Sequence, residues 1–477
     1  MELLSPAGNV DKLKYCYLYG ADAAYIGLKN FSLRVKADNF YEDEYKKVVA
    51  LKQQFPGRRL HCALNISFHN NEIDRLIEEI PYFKLYPIDA FIVQDLGIVP
   101  ILQKNFPDAA LHLSTQASCM NREAVKMYKS LGFSRVVMGR EAGLAEIAEI
   151  KDAVPEMEIE CFVHGAMCIA YAGRCLMSAY LNGRSAQEGF CSHTCRWDYD
   201  VFLNKGELDA KACAQSGAMA LREKKRPDEY FPIYEGDNFT AVLSSKDLCM
   251  VDHLADFKKA GVDSLKIEGR MKSVYYVAMI TRAYRKALDA LDGKISDADA
   301  KAFVDELYNV SHRPYGTGFY YNKADADVAV SGASDAPYEL LAEVGDCTSA
   351  AEEERIFGKA AALKKKRADE YNSLVPAAKA AYDERVKNQP DRYLPPVEKK
   401  DGWQFYPVTV VNMVDGKTQL ESVAPDYVRK EIAGGSWQLV NPETGEVYRW
   451  CCDGHPAVLY TSETLPRGAL LRGKVQK

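Results

Sequence analysis

The chain has 477 residues, 47% hydrophobic and 27% charged, which is the balance of an ordinary globular protein and enough for two or three domains. The net charge of −6 excludes a global basic field for nucleic acid and leaves only a local basic face. There is no apolar run of the about eighteen residues that a membrane-spanning helix needs.

The opening MELLSPAGNV lacks a charged region ahead of an apolar stretch. It reads as a first strand and not as a signal peptide, so the expected compartment is the cytoplasm. Thiols stay reduced there, and clustered cysteines point to metal or redox chemistry before disulfides.

Eight short apolar runs follow in order: ELLSPA (2–7), AAYIGLK (23–29), LHCALN (60–65), AFIVQD (90–95), LHLSTQA (111–117), RVVMGRE (135–141), IECFVHG (159–165) and SLKIEGR (264–270). Each has the composition of a buried parallel strand. Amphipathic helical stretches such as YEDEYKKVVALKQQF and NREAVKMYKSLG lie between most of them. Eight strand-then-helix units predict an α/β fold, a (β/α)₈ TIM-like barrel over 1–320. Polar residues end nearly every run: Ser5, Lys29, Asn65, Gln94 and Asp95, Gln116, Arg140 and Glu141, His164, Glu268 and Arg270. In such a barrel these ends converge on one mouth, where active sites lie.

The connection 166–262 between strands seven and eight is far longer than the others and reads as an insertion at the catalytic face. After the barrel, 321–400 reads as polar helices and a proline-rich linker. Residues 401–477 read as a small β-domain of short strands and turns, among them turn DGK and turn NPETG.

The insertion carries Cys168-x₆-Cys175-x₁₅-Cys191-x₃-Cys195. Buried structural thiols, a four-thiolate zinc knuckle and a Cys₄ iron–sulfur cluster all fit four cysteines, and spacing alone leaves them open. The six-residue gap weakens zinc, and Arg174, Arg184 and Arg196 could offset the charge of thiolates and a cluster. Cys213 and Cys249 are reserve ligands, while Cys16, Cys62 and Cys161 read as core.

The blocks EIECFVHGAMCIAYAGRCLMSAYL, GFCSHTCRWDY, RPDEYFPIYE and SLKIEGRMKSVYYVAMITRAYRKALD resemble the signature of the U32 peptidase family, also described as collagenase-like proteases. ELLSPAGNVDKLKYCYLYGADAAYIGLKNFSLR and LSTQASCMNREAVKMYKSLGFSRVVMGRE extend the resemblance over about residues 1–320. The resemblance implies a barrel bearing a [4Fe-4S] cluster, with ligands at Cys168, Cys175 and Cys191 and Cys195 as the natural fourth. It implies kinship with branches that hydroxylate RNA. One forms 5-hydroxyuridine at the tRNA wobble position, with a link to prephenate. Another modifies a 23S rRNA cytidine.

A peptidase needs an activated nucleophile or a metal-bound water. The chain has no HExxH and no GxSxG, and a thiolate tied to a cluster cannot attack a peptide. RNA hydroxylation is therefore the expected activity. U32-type proteolysis and a cluster-stabilised binding role are the alternatives. An RNA substrate asks for cations at the mouth, from Lys29, Arg34, Arg140, Arg174, Lys266, Arg270 and Lys272. It also asks for aromatic rings to stack a base, from Tyr25, Phe162, Tyr171 and Trp197. Lys266, Glu268 and Arg270 alternate along strand eight and so share a face. They fit either a small carboxylate-bearing substrate or an internal salt-bridge layer. His164, at the end of strand seven, is the expected acid–base or orienting group.

Overall fold

The protein is described by a computed structural model over residues 1–28, 31–32, 39–41, 43–168, 170–175, 177–178, 191–192, 220–222, 230–236, 239–242, 245–322, 336–388 and 392–475. It forms two compact units, 1–335 and 336–477. Among the described residues, no helix is long and apolar enough to cross a membrane.

The first unit is a closed eight-stranded parallel barrel. Its strands are β1 (Glu2–Pro6), β2 (Ala23–Ile26), β3 (Arg59–Leu64), β4 (Ala90–Val93), β5 (Ala110–Leu113), β6 (Arg135–Val137), β7 (Glu158–Ala166) and β8 (Ser264–Ile267). Each pairs with the next, except that β8 pairs with both β7 and β1 and so closes the ring. Helices cover the outer wall. The longest of them here, Val274–Leu291, is capped by Ser273 and buries Val277, Ile280 and Tyr284 against the barrel. Ser5 faces that helix, its hydroxyl 2.8 Å from that of Thr281, and so does not reach the mouth.

Side chains from alternate strands fill a barrel in layers, normally aliphatic ones. Here the odd strands contribute buried Glu2, His61, His112 and Glu160. Arg135 from β6 bridges Glu2 at 2.5 Å and Glu160 at 2.9 Å. Lys266 from β8 meets Glu160 at 2.7 Å. Burial alone would raise the Glu160 carboxyl, but Lys266 and Arg135 pull it down to about 2.

The long connection after β7 returns to the wall earlier than 262. Asp247–Cys249 is a strand antiparallel to the end of β7 and parallel to Tyr315–Gly316. Arg313 clamps Asp247 through its side chain at 2.6 Å. Leu254–Lys259 is the wall helix before β8. Inside the connection, Ala220–Arg222, Tyr230–Gly236 and Phe239–Val242 form a three-stranded antiparallel sheet.

The second unit is a nine-stranded sheet. Its spatial order is Tyr393–Pro396, Glu446–Tyr448, Trp437–Val440, Ala457–Thr461, Gln404–Val410, Tyr338–Val344, Leu470–Lys474, Leu420–Val423 and Lys430–Ile432. Composition places a boundary at 400, but the sheet crosses it. Tyr338–Val344 pairs with Gln404–Val410 and Leu470–Lys474. The helix Ala350–Ser373 buries Ile356 and Ala360 against Phe405, Val440, Val447 and Tyr460. The segments 336–388 and 392–475 thus share one core.

Candidate active site at the barrel mouth

The C-terminal strand ends enclose a pocket lined by Tyr25, Ser32, Ala63, Asn65, Ile92, Ser114, Thr115, Gln116, Val137, Arg140, Phe162, Lys266, Glu268 and Arg270. Of the polar strand ends, Asn65, Gln116, Arg140, Glu268 and Arg270 meet here. Asp95 instead ties its own loop to the one after β3, accepting from the backbone N–H of Gly97 and of Phe68 at 2.9 Å each. Ser32, Ser114 and Thr115 line the pocket without having been singled out. The small polar run STQ after β5 is the only sequence signal for Ser114 and Thr115.

The pocket has a charged and an aromatic component. The Arg140 guanidinium lies 4.0 Å over the ring of Phe162, and its Nη1 donates to the Ala166 carbonyl at 2.7 Å. The Lys266 ammonium lies 4.7 Å from the Tyr25 ring and 5.4 Å from that of Phe162. Burial lowers the Lys266 pKa, against the opposing pull of Glu160. Lys266 therefore joins the two alternatives that its sequence position left open. Its nitrogen is paired with the interior layer below, and its side chain lines the pocket above. Arg270 is buried, donating through Nη2 to Ser32 Oγ at 2.5 Å and Asn39 Oδ1 at 2.9 Å. A Cβ on Gly27 would lie 2.4 Å from Arg270 Nη1, so only glycine permits this approach. Lys272 instead lies over the Tyr276 ring, at 5.0 Å.

His164 is not brought to the pocket, and a β-bulge is the reason. Register slips between Lys266–Phe162 and Ile267–His164, which turns His164 to the outer face with Ile267. Gly165 follows at φ 110°. A Cβ there would lie 2.7 Å from the Glu268 carbonyl oxygen. The His164 ring is 1% exposed. Its Nδ1 lies 3.3 Å from the Tyr284 hydroxyl and its Nε2 lies 3.5 Å from that of Tyr315. Burial pushes its pKa down to about 3, against the pull of Asp247, so the folded state keeps it neutral. The unfolded chain protonates it below the ordinary histidine value of 6.5. Its contribution to stability is complete above that value and is lost as pH falls toward 3, by at most about 1.4 kcal/mol per pH unit. His164→Gln is therefore expected to flatten the acid limb of a stability-versus-pH profile by up to that slope. An unchanged slope contradicts the buried neutral imidazole.

The described part of the cysteine segment is tied to the mouth. Arg174 Nε donates to the Gln116 carbonyl at 2.8 Å, and the Ala172 N–H donates to Glu141 at 2.7 Å. Cys168 is exposed, and Cys175 and Cys191 are half-buried. The Cys168 and Cys175 sulfurs accept backbone N–H groups two residues on, from Ala170 at 3.5 Å and Met177 at 3.4 Å. Ser192, beside Cys191, is held by Ser178 through a backbone N–H donation at 3.0 Å. Cys195 lies outside the described residues, as do Lys29, Arg34, Arg184, Arg196, Trp197 and Cys213. Burial pushes the Cys249 thiol up to about 11, and the Tyr284 hydroxyl lies 3.9 Å from it. Cys16, Cys62 and Cys161 are buried.

Fold and mouth together define a TIM-barrel protein with a cationic, aromatic-walled pocket, to whose rim the described part of a cysteine-bearing segment is tied through Ala172 and Arg174. The chain belongs to peptidase family U32, whose family model matches residues 8–329. It is 38% identical over 339 residues to the tRNA hydroxylation protein P of Escherichia coli K12, covering 67% of this chain and 74% of that one. The protein of the same name from Haemophilus influenzae is 38% identical over 344 residues, covering 67% of this chain and 73% of its own. The 23S rRNA 5-hydroxycytidine C2501 synthase of E. coli K12 is 32% identical over 360 residues, covering 74% of this chain and 50% of that enzyme.

Proposed function

We propose that this chain is an RNA hydroxylase whose substrate pyrimidine enters the barrel mouth. The favoured target is uridine at the tRNA wobble position, made into 5-hydroxyuridine, with a ribosomal RNA cytidine as the alternative. The observation that carries this reading is the stacked Arg140–Phe162 pair beside Lys266 and Arg270 in one pocket. An enzyme that acts on a base takes it out of its stack, then reads it by aromatic stacking and polar contacts to its edge. Phe162 and Tyr25 offer rings, and Asn65, Gln116 and Glu268 offer edge partners. The relatives named for hydroxylation of tRNA and for rRNA 5-hydroxycytidine synthesis support the same class of reaction.

Within this reading Lys266 and Arg270 bind the carboxylate of a small co-substrate, with prephenate as the favoured one. Glu268 exchanges a proton with the substrate. His164 acts as a positioning residue, fixing the end of β7 from outside. Cys168, Cys175 and Cys191, with Cys195 as the fourth, hold a [4Fe-4S] cluster. The donor set suits it: three accessible thiols, two of them already receiving backbone N–H groups that stabilise charged sulfur. The cluster supplies electron transfer when bound. The proteolytic alternative would pair His164 with Cys168. His164 faces tyrosine hydroxyls and is buried, whereas Cys168 is exposed.

Two measurements test the proposal. Anaerobically purified protein is expected to contain about four iron and four sulfide per chain, with most of both lost in Cys175→Ala. Zinc in place of iron overturns the cluster. Nucleoside mass spectrometry of tRNA and rRNA from a deletion strain is expected to show loss of one 5-hydroxypyrimidine. An unchanged nucleoside profile overturns the hydroxylase.

A further inference from the structure

We propose that His61, His112 and Glu160 bind a divalent first-row transition-metal ion inside the barrel, directly beneath the mouth pocket. The inference stands on these residues alone and does not depend on the cysteine cluster or on the RNA reading. The three side chains come from β3, β5 and β7 and belong to the same interior layer. Their ligand atoms all lie within 4.8 Å of one another. Their relative exposures are 0%, 3% and 0%. The two imidazoles meet edge to face, centroids 4.8 Å apart at 88°.

The second observation is what the ring nitrogens lack. Neither Nδ1 nor Nε2 of His61 has a hydrogen-bond partner among the described residues, and nor does Nδ1 of His112. A neutral imidazole carries one donor and one acceptor, and buried polar groups are almost always satisfied. One nitrogen from each of these two under-satisfied rings, within reach of a buried carboxylate oxygen, gives three ligand atoms for a metal site. Glu160 already meets Lys266 through Oε1 and Arg135 through Oε2. Oε2 also meets the Ser264 hydroxyl at 3.2 Å, which leaves Oε1 the oxygen with a second lone pair for an ion.

Two imidazoles and one carboxylate select Fe²⁺, Mn²⁺, Co²⁺ or Zn²⁺ over Mg²⁺ and Ca²⁺, and three protein ligands leave coordination positions open. Glu2, Glu158 and Glu160 are already balanced by Arg59, Arg135 and Lys266. The ion therefore brings its counter-charge through the open positions, as hydroxide or as a carboxylate from the mouth. The way in is short. Ala63, on the strand of His61, and Ser114, just past the end of the strand of His112, line the pocket above and are small.

The probe is Mn²⁺, which thiolate sites disfavour, so the cysteine segment does not confuse the reading. Equilibrium dialysis of the full chain against Mn²⁺, with the metal counted by mass spectrometry, is expected to give one ion per chain. Thermal unfolding should shift upward with Mn²⁺ concentration, because the ion binds the folded state. The double variant His61→Leu/His112→Leu is expected to bind at least about 100-fold more weakly. If that variant does not fold, pulsed electron paramagnetic resonance on the wild-type chain takes its place. The expected result is nitrogen coupling to bound Mn²⁺ from two imidazoles. Folded wild type that takes up no Mn²⁺ overturns the proposal and leaves the histidines to water alone. Uptake that persists in the double variant, or bound Mn²⁺ without nitrogen coupling, overturns it equally.

Discussion

Arg135→Met is expected to destabilise the barrel unit by about 3–5 kcal/mol, the cost of leaving buried carboxylates without their partner. Arg135 is 1% exposed and contacts Glu2, Glu158 and Glu160 at once. Methionine matches its stem but supplies none of its N–H groups. Of its cationic partners Glu2 would keep Arg59, whose side chain is 48% exposed, beside the Ser264 hydroxyl, and Glu160 would keep Lys266. The measurement is chemical unfolding followed through the barrel transition, in the wild type, the variant and Arg135→Met/Glu2→Met. The double variant is expected to recover a large part of the loss, since Glu160 still has Lys266 and no other buried carboxylate is stranded. A single variant within about 1 kcal/mol of wild type would mean that water reaches the layer and that the interior is not sealed.

Arg270→Lys is expected to lower hydroxylation about 100-fold while leaving the unfolding midpoint close to wild type. Arg270 closes the pocket wall through a planar guanidinium pinned by Ser32 and Asn39 and seated against Gly27. Lysine keeps the charge but presents a single ammonium that cannot hold the same fork. A displacement of about 1 Å at a binding residue can cost that factor. The readout is the fraction of the hydroxylated nucleoside in RNA from a deletion strain carrying each version. Equal modification by lysine and arginine would show that charge alone serves at this position. Gly27→Ala should reproduce the loss, because its new Cβ displaces the same guanidinium.

The barrel was legible because its strands are buried on both faces and read as short apolar runs. The mouth was legible because Asn65, Gln116, Arg140, Glu268 and Arg270 interrupt those runs at corresponding ends. His164 misled for a physical reason. Period-two alternation puts 160, 162 and 164 on one face, and a one-residue bulge breaks that rule between 162 and 164. The glycine at 165 was the only local hint. The strand Tyr338–Val344 falls within 321–400, read as polar helices and a linker, yet all of its residues except Glu339 and Glu343 are buried, as an inner strand of the sheet requires. The interior layer was visible only as isolated polar residues in apolar strands. Nothing along the chain says that Glu2, His61, His112 and Glu160 meet, because their proximity is created by ring closure.

The central claim is that this mouth hydroxylates RNA with the help of the cysteine segment. The most direct measurement is nucleoside mass spectrometry of tRNA and rRNA from a deletion strain complemented in parallel with the wild-type chain and with Cys175→Ala. The account predicts that a 5-hydroxypyrimidine absent from the deletion strain returns with the wild type and fails to return with Cys175→Ala at equal protein level. Its return with both, or its presence in the deletion strain itself, would contradict the account.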